Sequence, residues 1–230
     1  MNDDEFDRAL VSAAFTLAGD RGWPEVSVVR AARAGDLPLD RARGRFLGRG
    51  HILARFGRIA DQTALALVTN EGTSRDRLFD LLMRRFDVLQ AHRGGVLALK
   101  TFLPREPLLT LSLGAAHLVS MAFMLEAAGI SASGCRGMLR AKGLVAVWLR
   151  AARAWERDES EDLAATMAAV DSGLDRAASV ERWMKWDGAE PTGAPEPPLA
   201  SPPPDIEPDF PPPPPPPPPE GADGANSPPV

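Results

Sequence analysis

The chain has one cysteine, no tyrosine and an aromatic content of 6 %. A lone thiol, Cys135, excludes any intrachain disulfide and predicts a reducing compartment. Short alternating apolar runs are scarce and Ala, Leu and Arg abundant, so nothing argues for a sheet and the composition favours helix. The N-terminus opens Met-Asn-Asp-Asp-Glu, acidic where a secretory leader needs basic residues before an apolar run. A cytoplasmic chain is the expectation. The three histidines (His51, His92, His117) have no metal-ligand spacing, and no glycine-rich phosphate loop or nucleophile elbow occurs. Neither catalysis nor a cofactor is expected. Cys135 beside Arg136 is read as a buried or inert thiol.

Charge is unevenly placed. Residues 187–230 hold eight acidic residues, no Lys or Arg and 19 prolines, including the unbroken run 211–219. Such a segment has little to bury and predicts a disordered acidic tail with a stiff polyproline stretch, either a solubiliser or a docking site for a proline-reading domain. Residues 30–58, by contrast, carry eight arginines against Asp36 and Asp40, a local excess of six positive charges that argues for an anionic partner.

Helical periodicity accounts for most of the rest. Phe6, Leu10, Ala13, Ala14 and Leu17 mark a first helix that stops near Gly19–Gly22. Ser27 stands as an N-cap before a short helix, Gly35-Asp36 and Pro38 break it, and a third helix fits 38–46. A longer helix follows from Gly48 to about 69, then an amphipathic one through Leu78, Leu82 and Phe86. Pro107–Leu125 is 19 residues without a charge, close to a membrane span, but its Ser, Thr, Gly and His residues and flanking Glu106 and Glu126 favour a buried bundle helix. Two last stripes are the most regular: Met138, Ala141, Val145, Trp148, Ala152 and Trp155, then Leu163, Met167, Val170 and Leu174. Spacing of this kind predicts two antiparallel helices that also pair with a second copy through Val145, Trp148, Ala152, Trp155, Leu163, Met167, Val170 and Leu174. Leu82, Phe86, Phe102, His117, Met121, Met124 and Trp148 could line a pocket for a small apolar ligand, or equally form ordinary core. In Asp158–Asp162, Ser160 reads as an N-cap with acidic residues in the following first turn.

The segment Ala13–Leu53, with Arg-Gly-Trp at 21–23, Val26-Ser27-Val28, Ala-Ala-Arg-Ala-Gly-Asp-Leu-Pro at 31–38 and Arg-Gly-Arg-Phe-Leu-Gly-Arg-Gly-His-Ile-Leu at 43–53, resembles the DNA-binding region of the TetR family of bacterial regulators. The resemblance implies an all-α, TetR-like fold, with a helix-turn-helix domain over 1–53, a helical dimerisation and ligand domain over 54–186 and the tail over 187–230. It implies a homodimer on double-stranded DNA, with 38–46 as recognition helix, Arg41 and Arg45 in the groove, and Ser27, Arg43 and Arg49 on phosphates. The family's turn glycine falls on Asp36 and its usual tyrosine on Arg43, and Gly44 sits inside the recognition helix. Residues 138–184 are also similar to a ubiquinone-biosynthesis accessory family of TetR-like fold, which implies isoprenoid binding without DNA binding.

Overall fold

The structure, a computed structural model, describes residues 1–68 and 71–186, with side chains through 179. The acidic proline-rich segment lies outside the described residues. Nine α-helices and no strand occur among the described residues: α1 (Asp3–Arg21), α2 (Val28–Ala34), α3 (Leu39–Arg45), α4 (Arg49–Leu65), α5 (Ser74–Ala91), α6 (Arg93–Phe102), α7 (Pro107–Ala127), α8 (Gly134–Trp155) and α9 (Ala164–Trp186).

Local chemistry sets the ends. Asn2 and Glu5 close a capping box on α1, as Thr73 and Asp76 do on α5, and the Ser27 hydroxyl accepts from the Arg30 amide at 3.1 Å to start α2. Asp36, where the TetR pattern has glycine, takes φ of 50°, a left-handed conformation that a short polar side chain tolerates. The last helix begins later than its sequence suggests. Leu163 adopts φ of 54°, and the Asp158 carboxylate accepts from both the amide and hydroxyl of Thr166 at 2.8 Å. Hydrogen bonds from Ser160 and Thr166 hold the Asp158 carboxyl down at about 2.

Two apolar clusters form. Phe6, Leu10, Phe15, Trp23, Phe46 and Ile52 centre the first, which joins α1–α4 to α6. Leu81, Leu82, Phe86, Met121, Met124 and Trp155 centre the second, within α5 and α7–α9. The helix α4 runs unbroken past residue 53 and feeds both, through Phe56 and Ile59 to one and Ala64 to the other. At the crossing of α1 and α6, Trp23 Nε1 donates to the Gly95 carbonyl at 2.8 Å, and a Cβ on Gly95 would stand 2.4 Å from the Phe15 carbonyl oxygen. Only glycine fits there.

The uncharged helix α7 departs from the buried bundle helix its sequence suggests. Only 22 % of its most apolar stretch is buried, and it is the one helix among the described residues long and apolar enough to cross a membrane by composition. Met121, Met124 and Leu125 face inward, while Leu108, Leu111, Val119 and Phe123 face outward.

Replacing Gly95 by Ala is expected to lower stability by about 3 kcal/mol through overpacking. Gly57→Ala, at a helix-interior site where a Cβ meets nothing within 4 Å, is expected to raise it by about 0.5 kcal/mol. Urea unfolding of both variants checks this; equal effects would contradict the close crossing.

Candidate nucleic-acid interface

Three aspartates near the start of α1, Asp3, Asp4 and Asp7, face the basic segment and pair with it. Asp7, 3 % exposed, accepts from Arg45 Nε at 2.5 Å on Oδ1 and Nη2 at 2.8 Å on Oδ2, and Arg55 Nε lies 2.7 Å from the same Oδ2. Arg45 Nη1 reaches Asp3 at 2.7 Å, Arg41 Nη2 reaches Asp3 at 2.6 Å, and Arg55 Nη2 reaches Asp4 at 2.8 Å. Arg41 also lies over the Phe6 ring, 4.6 Å from its centroid. The two guanidinium groups lower the Asp3 carboxyl below its usual range, and Asp7 raises the Arg45 guanidinium further above its own.

Arg41 and Arg45, expected in a DNA groove, are held by these carboxylates in the free chain. They share one face of α3, but that face is turned toward α1. The formal count changes accordingly. Asp3, Asp4 and Asp7 offset Arg41, Arg45 and Arg55, and Glu25 pairs with Arg30. Arg33, Arg43, Arg49 and Arg58 remain against Asp36 and Asp40, so an excess of six positive charges falls to about two.

The other three residues singled out converge. Ser27, Arg43 and Arg49 line one cleft of 570 Å³ between the start of α2, α3 and the start of α4. Arg43 is exposed and has no ion-pair partner among the described residues. It and the exposed Leu39 and Leu47 form the outward surface around α3. Arg49 is steadied from behind: it donates to the Trp23 carbonyl at 3.3 Å, lies 5.1 Å from the Phe102 ring centre and has Glu106 at 4.0 Å. The Ser27 oxygen accepts from Arg30, which leaves its hydroxyl proton available to an incoming acceptor. Gly44 does not fray α3, which continues through Arg45 and receives no contact at the Gly44 Cβ position.

The residues read as a ligand pocket separate. Leu82, Phe86, Met121, Met124 and Trp148 are buried against one another, with Phe86 and Trp148 stacked at 4.3 Å, whereas Phe102 packs on Trp23 in the first cluster. These positions are core. An apolar cleft of 470 Å³ opens elsewhere, between α8 and α9, with Leu78, Leu125, Leu144, Val147 and Leu174 on its floor and Arg150 and Arg176 among its lining. The dimer stripes are likewise internal: Trp148, Trp155, Leu163, Val170 and Leu174 are buried in the protomer's own core, and Val145, Ala152 and Met167 are half-buried. Their spacing pairs α8 with α9 inside the chain, where the Gly173 backbone approaches Val147.

Sequence reasoning missed a buried polar cluster. Arg85, on α5, donates to Ser120 at 2.9 Å, has Asp61 at 3.3 Å and His117 Nδ1 at 3.4 Å, and lies 4.9 Å from the Trp148 ring centre. Its three polar partners come from α4 and α7, so only the fold reveals them. Burial, with Arg85 nearby, pushes the His117 imidazole down to about 4. Cys135, read as buried or inert, is exposed. No group of three or more His, Cys, Asp or Glu side chains among the described residues could hold a metal ion.

No protein-family model matches the sequence, and no curated protein is similar to it. Among solved structures, a TetR transcriptional regulator from Nitrosomonas europaea is similar at a TM-score of 0.63 and 20 % identity, across 76 % of this chain and 99 % of the other. A TetR-family transcriptional regulator from Streptomyces coelicolor is similar at 0.50 and 17 %, across 82 % and 100 %.

Because the folded state holds His117 neutral, stability from this ring is complete above pH 6.5 and is lost as pH falls toward 4. Asp61, raised by burial, changes in the opposite sense as it takes up a proton. Between pH 7 and 5 the His117 loss is expected to be about 2 kcal/mol. Urea unfolding of His117→Gln should show that acid loss removed; an unchanged loss would contradict the assignment. Nine helices among the described residues, an Asp-turned helix-turn-helix and the likeness to these two regulators together establish that the chain has the TetR-like fold.

Proposed function

We propose that the chain is a one-component transcriptional regulator of the cytoplasm that binds double-stranded DNA as a homodimer, responds to a small apolar ligand and carries out no catalysis. The convergence of Ser27, Arg43 and Arg49 on one cleft of the helix-turn-helix carries this reading. Arg43 is the cation on the outward side of α3 and is assigned to a base edge, where an arginine discriminates by about 1–3 kcal/mol. Arg49, braced by Trp23 and Phe102, and the Ser27 hydroxyl are assigned to phosphates, which position without specifying. Arg41 and Arg45 are internal struts. The ligand is assigned to the α8–α9 cleft, because the bundle interior is filled.

The cancellation of most of the basic charge favours one rival. A TetR-fold lipid-binding accessory protein would need the frame and an apolar cleft, and no operator contacts.

Arg43→Ala is expected to relax sequence preference and weaken the best site by about tenfold or more. Arg49→Ala should weaken all sequences alike. Arg45→Ala should leave preference intact and lower stability, since it strips a buried carboxylate of its bidentate partner. Selection of bound duplexes from a random pool, with denaturant melts of each variant, reads all three. Sequence-blind losses at Arg43 would remove its base-reading role.

For the ligand, mass spectrometry of an organic extract of the purified protein should find an apolar molecule whose retention falls on Gly143→Trp, a change that fills the cleft. A stoichiometric isoprenoid with no DNA shift at low salt would replace the regulator reading by its rival.

A further inference from the structure

The outward face of α7 is the largest apolar surface that neither cleft accounts for. Leu108, Leu111, Val119 and Phe123 are 82 %, 72 %, 70 % and 61 % exposed, and Gly114, Ala115 and Ala116 between them are exposed as well. Together they place on the order of 500 Å² of apolar surface on one helix, the range in which a patch marks an interaction site. Not one charged residue falls between Pro107 and Leu125.

We propose that a second copy of this chain covers this face by antiparallel pairing of α7 with α7. Leu108, Ser112, Ala115, Ala116, Val119 and Phe123 are all exposed on one face of the helix, a stripe along which two helices can lie. The face is bulky at both ends and small in the middle, and this pattern is its own complement under a two-fold axis. With the axis between Ala115 and Ala116, Ala115 lies opposite the partner's Ala116, Ser112 opposite the partner's Val119 and Leu108 opposite the partner's Phe123. The same register sets Arg105 opposite the partner's Glu126. Arg105 and Glu126 are exposed at the two ends of the face, and neither has an ion-pair partner among the described residues. Small central residues let the backbones approach, and the ends close over them.

A lipid surface suits the face less well. Interfacial helices combine an apolar side with a lysine- and arginine-rich one, whereas α7 contains neither residue and carries Glu126 near its end. The pairing does not depend on DNA binding and is tested without it.

Sedimentation equilibrium of the full chain should give the mass of two chains. Val119→Arg, an outward substitution that leaves the core intact, should give the mass of one with unchanged circular dichroism and melting. Glu126→Arg should raise the dimer dissociation constant about tenfold, and Arg105→Glu added to it should restore the original value, a rescue that only the antiparallel register produces. A monomeric parent chain, a dimer indifferent to Val119→Arg, or a double variant weaker than either single one would overturn the proposal. So would flotation of the parent chain with phosphatidylglycerol vesicles that Val119→Arg abolishes.

Discussion

The Asp7 carboxylate, sealed under α1 and gripped by Arg45 from α3 and Arg55 from α4, is the constraint on which the helix-turn-helix depends. A buried charge is tolerated only when opposite charge and hydrogen bonds surround it, and two guanidinium groups meet that demand from two directions. The arrangement fixes α3 relative to α1 before any partner arrives. It also determines what α3 can present. Once Arg41 and Arg45 face α1, the exposed residues left on the helix are Leu39, Asp40, Arg43 and Gly44. The same ion pairs that build the domain thus thin out its positive field.

Individual residues show what could be read from the sequence and what could not. Ser27 caps α2, and Asp36 stands in the left-handed turn, because both are decided by chemistry within a few residues. Helix number and order followed from periodicity for the same reason. The arginines were misread because their partners lie 38 to 51 positions away: counting charge along 30–58 cannot see Asp3, Asp4 or Asp7. The stripes on α8 and α9 illustrate a second limit. A regular apolar seam says that a helix has a partner, and is silent on whether that partner is its neighbour or another copy. Here Trp148, Trp155 and Val170 are enclosed by the chain itself.

The uncharged run in α7 is the converse case. Composition suggested burial, yet α7 contributes only Met121, Met124, Leu125 and their neighbours to the second core. The polar cluster around Arg85 was invisible for a topological reason, since Asp61, His117 and Ser120 meet it only after α4 and α7 have docked. The cluster places a titratable ring inside the bundle and makes this core sensitive to acid in a way that the apolar residues around it are not.

The salt dependence of duplex binding tests the central claim most directly, because it counts the cations that touch phosphate. A dimer that sets Arg49 of each copy on phosphate, with Arg43 on a base edge, should lose affinity with a log–log slope of about −2. A slope of about −7 would mean that Arg41, Arg45 and Arg55 leave their carboxylates to meet DNA, and would contradict the account in which they are the struts of the domain.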